Sequence, residues 1–273
     1  MESVQPDLEL ETIKAGSRQT WMDGDYGKIA KSIESAAQDF VARRNIAPGM
    51  RVLDVACGNG NVAIPAARTG AEVIGIDIAP NLVEQARQRA REASLDVEFE
   101  VGDVEDLPYR NTEFDLVLSM FGAMFAPRPE KAAEEMLRVC RSGGTLAMAN
   151  WTPAGFAGQM FRLVGGYVPP PPVPAPTLWG EEQVVRERLQ AGTARIDARP
   201  LNAEIRYPFA PQEVVNHFRE FFGPVRNAFA ALSEEKRPAL ERDLIALWTQ
   251  HNRASDGTTW VSSEYLEVVA IRG

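Results

Sequence analysis

The stretch RVLDVACGNGNVAIPAARTGAEVIGID, residues 51–77, holds an apolar strand, a glycine turn, a helix and a second apolar strand that stops at a carboxylate. Val52, Leu53 and Val55 make the first strand, residues 60–69 the helix, and Val73, Ile74 and Ile76 the second strand, ending at Asp77. Glycines at 58 and 60 let backbone approach a ligand where a Cβ would clash. The helix that follows turns its free N–H groups and the positive end of its dipole to the same place. A carboxylate at position 77 is placed to accept both hydroxyls of a ribose.

Downstream, the pattern repeats. Pro80 opens a helix to about residue 93, Val97, Phe99 and Val101 alternate into Gly102-Asp103, and residues 114–120 form a continuous apolar strand of the kind buried in parallel sheets. A helix over 129–140, a turn at Ser142-Gly143-Gly144 and a strand over 145–150 complete the series. This alternation predicts an α/β fold, a doubly wound parallel sheet with right-handed crossovers, whose ligand lies beyond the carboxyl ends of the strands.

Gly58-Asn59-Gly60-Asn61-Val62-Ala63 satisfies the dinucleotide pattern G-x-G-x-x-G/A, so the glycines alone leave the cofactor open. Asp54, on the strand before them, repels a pyrophosphate but suits an ammonium group. Asp103 supplies an acidic acceptor near a base, and no neighbouring Arg or Lys is in place to hold phosphates. These features favour an adenosine that carries a cationic amino-acid tail.

The segments Val52 to Gly60, Val73 to Asp77, Val101 to Tyr109, Phe114 to Ser119 and Leu137 to Gly144 resemble, as a set, the successive motifs of the class I S-adenosylmethionine-dependent methyltransferases, especially the small-molecule branch that includes quinone and sterol methyltransferases. The resemblance covers about residues 45–150. It implies a Rossmann-like sheet of seven strands, mostly parallel, with one antiparallel strand supplied by residues 265–271. It implies S-adenosyl-L-methionine as cofactor, with Asp54, Ala56, Gly58, Gly60 and Asn61 around the methionyl part and Asp77 on the ribose. Ile78 would lie against the adenine, Asp103 and Val104 at its edge, and Ser119 and Met120 beside the sulfonium. Asn61 departs from the Gly or Thr frequent in the family. A nicotinamide-dependent oxidoreductase on the same type of sheet, and a non-catalytic adenosyl-cofactor-binding protein, are the alternative readings.

The rest of the chain reads as a setting for this core. Helices over 8–22 and 26–43, broken around Gly24, form a cap (residues 1–45), the core spans 46–150, and residues 151–273 add a substrate-side insertion and the last strands of a single methyltransferase domain. Beyond residue 151 the reading gives helices over 156–164, 181–191, 211–222 and 233–253, a strand over 202–209, and a stiff spacer in the proline-rich run 168–176. An acceptor pocket is expected after the fourth and fifth strands and under the cap. That nominates Trp21, Tyr26, Phe121, Met124, Phe125, Trp151 and Tyr167, with Phe156 and Met160 nearby, and the aromatic content suggests a small, apolar or planar methyl acceptor. Candidate bases are His217, Tyr26 and Asp25, with His251 a further histidine on a C-terminal helix. Cys57 and Cys140 read as small buried residues, and no spacing fits a metal site.

With 273 residues, 45% hydrophobic and 25% charged, the composition is that of a globular protein. A net charge of −9 argues against a nucleic-acid surface. The absence of a basic, apolar leader and of a long apolar run suggests a cytoplasmic protein with no membrane span.

Overall fold

The computed structural model describes residues 4–273. Its strands are β1 (Arg51–Val55), β2 (Glu72–Asp77), β3 (Glu98–Val101), β4 (Phe114–Met120), β5 (Cys140–Trp151), β6 (Thr193–Tyr207) and β7 (Thr259–Arg272). They form one seven-stranded sheet in the order β3-β2-β1-β4-β5-β7-β6. β1 to β5 are parallel, and β7 runs antiparallel to both β5 and β6, so six strands share one direction and β7 opposes them. The order reverses between β1 and β4, which opens a crevice at their carboxyl ends.

β1 and β4 are buried on both faces, as their unbroken apolar runs require. The connecting helices include α4 (Ala63–Ala67), α5 (Pro80–Glu92) and α6 (Pro129–Val139). α4 is shorter than the helix expected over 60–69, because residues 58–62 are taken up by the turn. Upstream lie α1 (Val4–Met22), α2 (Tyr26–Ala30) and α3 (Glu34–Ala42), with a 3₁₀ turn at Lys31–Ile33 that divides the helix expected over 26–43.

Beyond β5 come α7 (Phe156–Tyr167), α8 (Glu182–Leu189), α9 (Pro211–Phe221), α10 (Gly223–Ala231) and α11 (Arg237–His251). β6 starts nine residues before the strand expected at 202, since its first half is an exposed edge strand without alternating burial. An edge also accommodates Pro200, which cannot donate to a ladder. Two hydrophobic cores result. One wraps the sheet, with Phe40, Leu53, Leu118 and Met148 fully buried. The other joins Ile29 of α2 to Phe156, Tyr207, Phe218 and Trp248. α2 is thereby fixed between the mouth of the sheet and the C-terminal helices.

Candidate cofactor and acceptor site

The loops after β1 and β4 meet at the reversal point. Ala56 (φ 54°) and Phe121 (φ 57°) both adopt left-handed backbone, a costly conformation for residues with a Cβ that concentrates at functional sites. Gly122 is required where the loops touch, because a Cβ there would come within 2.4 Å of the Ala56 carbonyl oxygen. Between the loops and the N-terminal helices lies a cleft. Of the residues expected at a cofactor or acceptor, Asp54, Ala56, Gly58, Asn61, Asp77, Ile78, Asp103, Val104, Met120, Phe121, Phe125, Trp21 and Tyr26 line it.

The floor of the cleft carries two buried carboxyl groups. Asp77 is 7% exposed; its Oδ2 accepts the Gly58 N–H at 2.8 Å and its Oδ1 the Ala79 N–H at 2.9 Å. Asp54 is 1% exposed and accepts the Ala63 N–H at 2.9 Å, at the start of α4. Burial drives the Asp54 carboxyl well above the usual carboxylate range, the Ala63 N–H pulls it back, and Asp77 pushes it up again. Burial also raises Asp77, against its backbone hydrogen bonds. Among the described residues no Lys or Arg forms an ion pair with either carboxylate. The arrangement favours a cationic ligand, whose arrival stabilises both charged forms.

Asn61 has a structural assignment of its own. Its Nδ2 donates to the Ala30 carbonyl at 2.8 Å and its Oδ1 accepts from Arg89 at 2.7 Å, tying the glycine loop to α2 and α5. Arg89 also donates to the Asn59 carbonyl at 2.9 Å. The Asp103 end of the cleft holds a residue that motif reading missed. Lys14 of α1 lines the cleft, with its Nζ 2.6 Å from Asp103 Oδ2 and 2.8 Å from Glu105 Oε2. Burial alone would lower the Lys14 pKa; the two carboxylates outweigh it and hold the ammonium above its ordinary value. A lone Lys in a helix 89 residues from Asp103 carries no local signal of this contact.

Other expected site residues lie elsewhere. Gly60 packs below the cleft, where a Cβ would sit 3.2 Å from Phe99 and Ile64 side chains. Ser119 is buried beneath the floor; its hydroxyl donates to the Val55 carbonyl at 2.8 Å and accepts from the Ala123 N–H at 3.0 Å, which leaves it to brace the loop. Met124 is fully buried core. Trp151 lies behind the cleft, stacked on Phe121 with ring centroids 3.6 Å apart. The Tyr167 hydroxyl donates to Asp243 at 2.5 Å, away from the cleft.

The candidate bases fare similarly. Asp25 does not line the cleft: it accepts from Gln85 at 3.0 Å, and its own N–H donates to the Phe221 carbonyl. His217 is enclosed by the rings of Tyr207, Phe209 and Phe221, and burial lowers its pKa, so it is a neutral ring outside the cleft. His251 pairs with Gln159. Tyr26 does line the cleft, but burial, with Tyr207 and Asp77 nearby, raises its pKa and keeps the phenol protonated. Cys57 also faces the cleft, where burial pushes its thiol well up and leaves it a poor nucleophile.

Comparison with known proteins agrees with this geometry. Residues 53–148 match the family described as "Methyltransferase domain". An uncharacterized protein of Mycobacterium tuberculosis (Rv1405c) is 36% identical over 270 residues, covering 97% of each chain. A ubiquinone biosynthesis O-methyltransferase of Xanthomonas campestris is 37% identical over 152 residues, 55% of this chain and 64% of that protein. In fold, the chain is similar to the crystal structure of the YcgJ protein of Bacillus subtilis, with a TM-score of 0.61 and 18% identity over 87% of this chain and 98% of that one. By the methyltransferase domain that residues 53–148 match, the chain belongs to the class I S-adenosylmethionine-dependent methyltransferases.

Proposed function

We propose that this methyltransferase acts on a small, apolar or planar acceptor, with catalysis resting on proximity and exclusion of water. The carrying observation is the cleft itself: two buried carboxylates without a cationic partner at one end, and Met120, Phe121, Phe125, Trp21 and Tyr26 at the other. S-adenosylmethionine supplies a methyl group on a sulfonium, open to in-line attack by a lone pair of the acceptor. In this reading Asp54, Ala56, Gly58 and Asn61 hold the cationic tail, Asp77 the ribose, and Ile78, Asp103 and Val104 the adenine. Met120 and Phe121 would face the reacting centre.

The described residues bring no side chain into the cleft that is a base at neutral pH apart from the carboxylates, since Tyr26 is held protonated and His217 lies outside. Positioning is then the chain's main contribution, an effect worth up to about 7–11 kcal/mol in the best intramolecular models. The apolar walls exclude water and favour attack by an anionic or readily deprotonated nucleophile. Similarity to a ubiquinone O-methyltransferase supports a planar acceptor. The division into cap (1–45), core (46–150) and substrate-side segment (151–273) belongs to the same proposal. No helix among the described residues is long and apolar enough to cross a membrane; a cytoplasmic location and a free small-molecule acceptor complete the reading.

Calorimetric titration with S-adenosylhomocysteine and with NAD tests the cofactor assignment. Saturable binding of the first and none of the second is expected; the reverse would remove the basis of the proposal. Turnover of S-adenosylmethionine against a panel of phenols, quinols, amines and carboxylates tests the acceptor class, and exclusive turnover of charged amines would refute it.

A further inference from the structure

Lys14, Ser17 and Trp21 follow one another at helical spacing and all three line the cleft, so a single face of α1 is turned to it. At one end of that face the Trp21 ring meets Phe125 edge to face, with centroids 4.9 Å apart. At the other end the Lys14 ammonium lies 2.6 Å from Asp103 Oδ2 and 2.8 Å from Glu105 Oε2. None of residues 9–22 is fully buried, so this part of α1 is a surface strap, and Lys14 is one of the contacts that hold it down.

The two carboxylates that hold Lys14 differ in what else they do. Glu105 is fixed: its side chain is wholly buried, its Oε1 accepts the Arg128 backbone N–H at 2.6 Å and its Oε2 the Arg128 Nε–H at 2.8 Å. The Asp103 side chain is 26% exposed and itself lines the cleft. Its Oδ1 accepts the Glu105 N–H at 2.8 Å and is spent on closing the turn. Oδ2 is therefore the oxygen with which Asp103 can meet a ligand, and it is the oxygen that Lys14 holds.

We propose that Lys14 competes with the adenine amine of the cofactor for Asp103 Oδ2, so that cofactor binding moves the ammonium from Asp103 onto Glu105 alone. The inference rests on the placement of the adenine at Asp103 in the reading of the cleft. A charged donor bonds a carboxylate more strongly than a neutral amine does, so Lys14 opposes the adenine contact. Glu105 stays in place to receive the charge, and the ammonium is not stranded without a partner. A base with a carbonyl oxygen where adenine has its amine stands in another relation to Lys14. It has no hydrogen at that position for Asp103 to accept, and its oxygen can accept from the ammonium. Lys14 thereby sets the affinity for the cofactor and narrows the preference for adenine over hypoxanthine.

Calorimetric titration of the parent and Lys14→Met proteins with S-adenosylhomocysteine and with S-inosylhomocysteine tests the competition. The two ligands differ at that position of the base and carry the same net charge, so loss of the lysine charge acts on both alike through space. Lys14→Met should bind S-adenosylhomocysteine at least about threefold more tightly, the scale of one ion pair near the surface, and S-inosylhomocysteine no more tightly than the parent does. The same substitution made together with Asp103→Asn should give no gain over Asp103→Asn alone. Lys14→Gln replaces the methionine variant if that fails to fold. Unchanged or weaker S-adenosylhomocysteine binding in a folded Lys14 variant, an equal gain for both ligands, or a gain that persists beside Asp103→Asn would each overturn the proposal. Absence of S-adenosylhomocysteine binding by the parent protein would overturn the reading of the cleft, and the competition with it.

Discussion

Replacing Asp77 with alanine separates two tasks of one carboxylate. The side chain accepts the N–H of Gly58 at 2.8 Å and of Ala79 at 2.9 Å, so it fastens the glycine loop to the end of β2 before any ligand arrives. Alanine leaves both donors without a partner at a position 7% exposed. An orphaned buried donor costs about 1–3 kcal/mol, and water entering from the cleft places each near the lower figure. Removing the carboxylate also relieves the burial that raises its pKa, which offsets part of the loss. A net destabilisation of about 1–2 kcal/mol follows, read as a fall of a few degrees in the thermal midpoint of the ligand-free protein. Loss of a charge-assisted bond to the ribose removes about 1.5–3 kcal/mol of binding, or roughly 10- to 150-fold in the S-adenosylhomocysteine dissociation constant. Asp77→Asn keeps one carbonyl acceptor but turns an NH₂ toward the other backbone donor, so it should recover only part of each loss. The assays are thermal unfolding without ligand and calorimetry with S-adenosylhomocysteine. A dissociation constant within about threefold of the parent in a folded variant, well below the decade that 1.4 kcal/mol represents, would place the ribose elsewhere.

Other perturbations address the neighbouring groups. Asp54 and Asp77 have folded-state pKa values raised by burial, so their contribution to stability is complete below the ordinary carboxylate range and is lost as pH rises through the folded values. A cationic cofactor favours their deprotonated forms; S-adenosylmethionine binding should therefore release protons and weaken on acidification. Calorimetry in buffers of different ionisation enthalpy measures the release, Asp54→Asn should reduce it, and net proton uptake would contradict the assignment. Lys14→Met removes the cation from Asp103 while Glu105 keeps Arg128, so the cost should be about 1–2 kcal/mol, below the 3–5 of a fully buried broken pair. Faster hydrogen exchange over residues 9–22 is the expected readout, and unchanged exchange would show that other contacts hold α1. Tyr26→Phe should raise the acceptor KM by up to about tenfold and leave kcat nearly unchanged, because the phenol keeps its proton; a fall in kcat of about 10²–10⁴-fold would mark it as a base.

The carboxylate end of the cleft was legible because its determinants are local. Asp54, Asp77 and Asp103 each close or follow a short apolar strand, and parallel strands in sequence bring such ends together without further information. The aromatic end has the opposite character. Trp21, Tyr26 and Phe125 come from α1, α2 and the turn after β4, each contributing one aromatic residue that looks like ordinary core. Residue type alone therefore admitted Tyr167, whose hydroxyl is bound to Asp243, and gave no weight to Ile33, which lines the cleft.

Periodicity carries more than residue type where the two compete. Ser119 and Met120 are adjacent at the end of β4, and successive side chains of a strand point to opposite faces. Both cannot face one cleft in the same way, and the structure resolves the choice by hydrogen bonding. The Ser119 hydroxyl bridges the Val55 carbonyl and the Ala123 N–H, holding β1 and the loop after β4 in place, and Met120 is left on the cleft. The polar member of the pair braces and the soft apolar member faces the cleft. This division is the reverse of the intuition that polar residues line sites: a buried hydroxyl is costly without partners, and its backbone partners lie on neighbouring β1 and in the turn after β4.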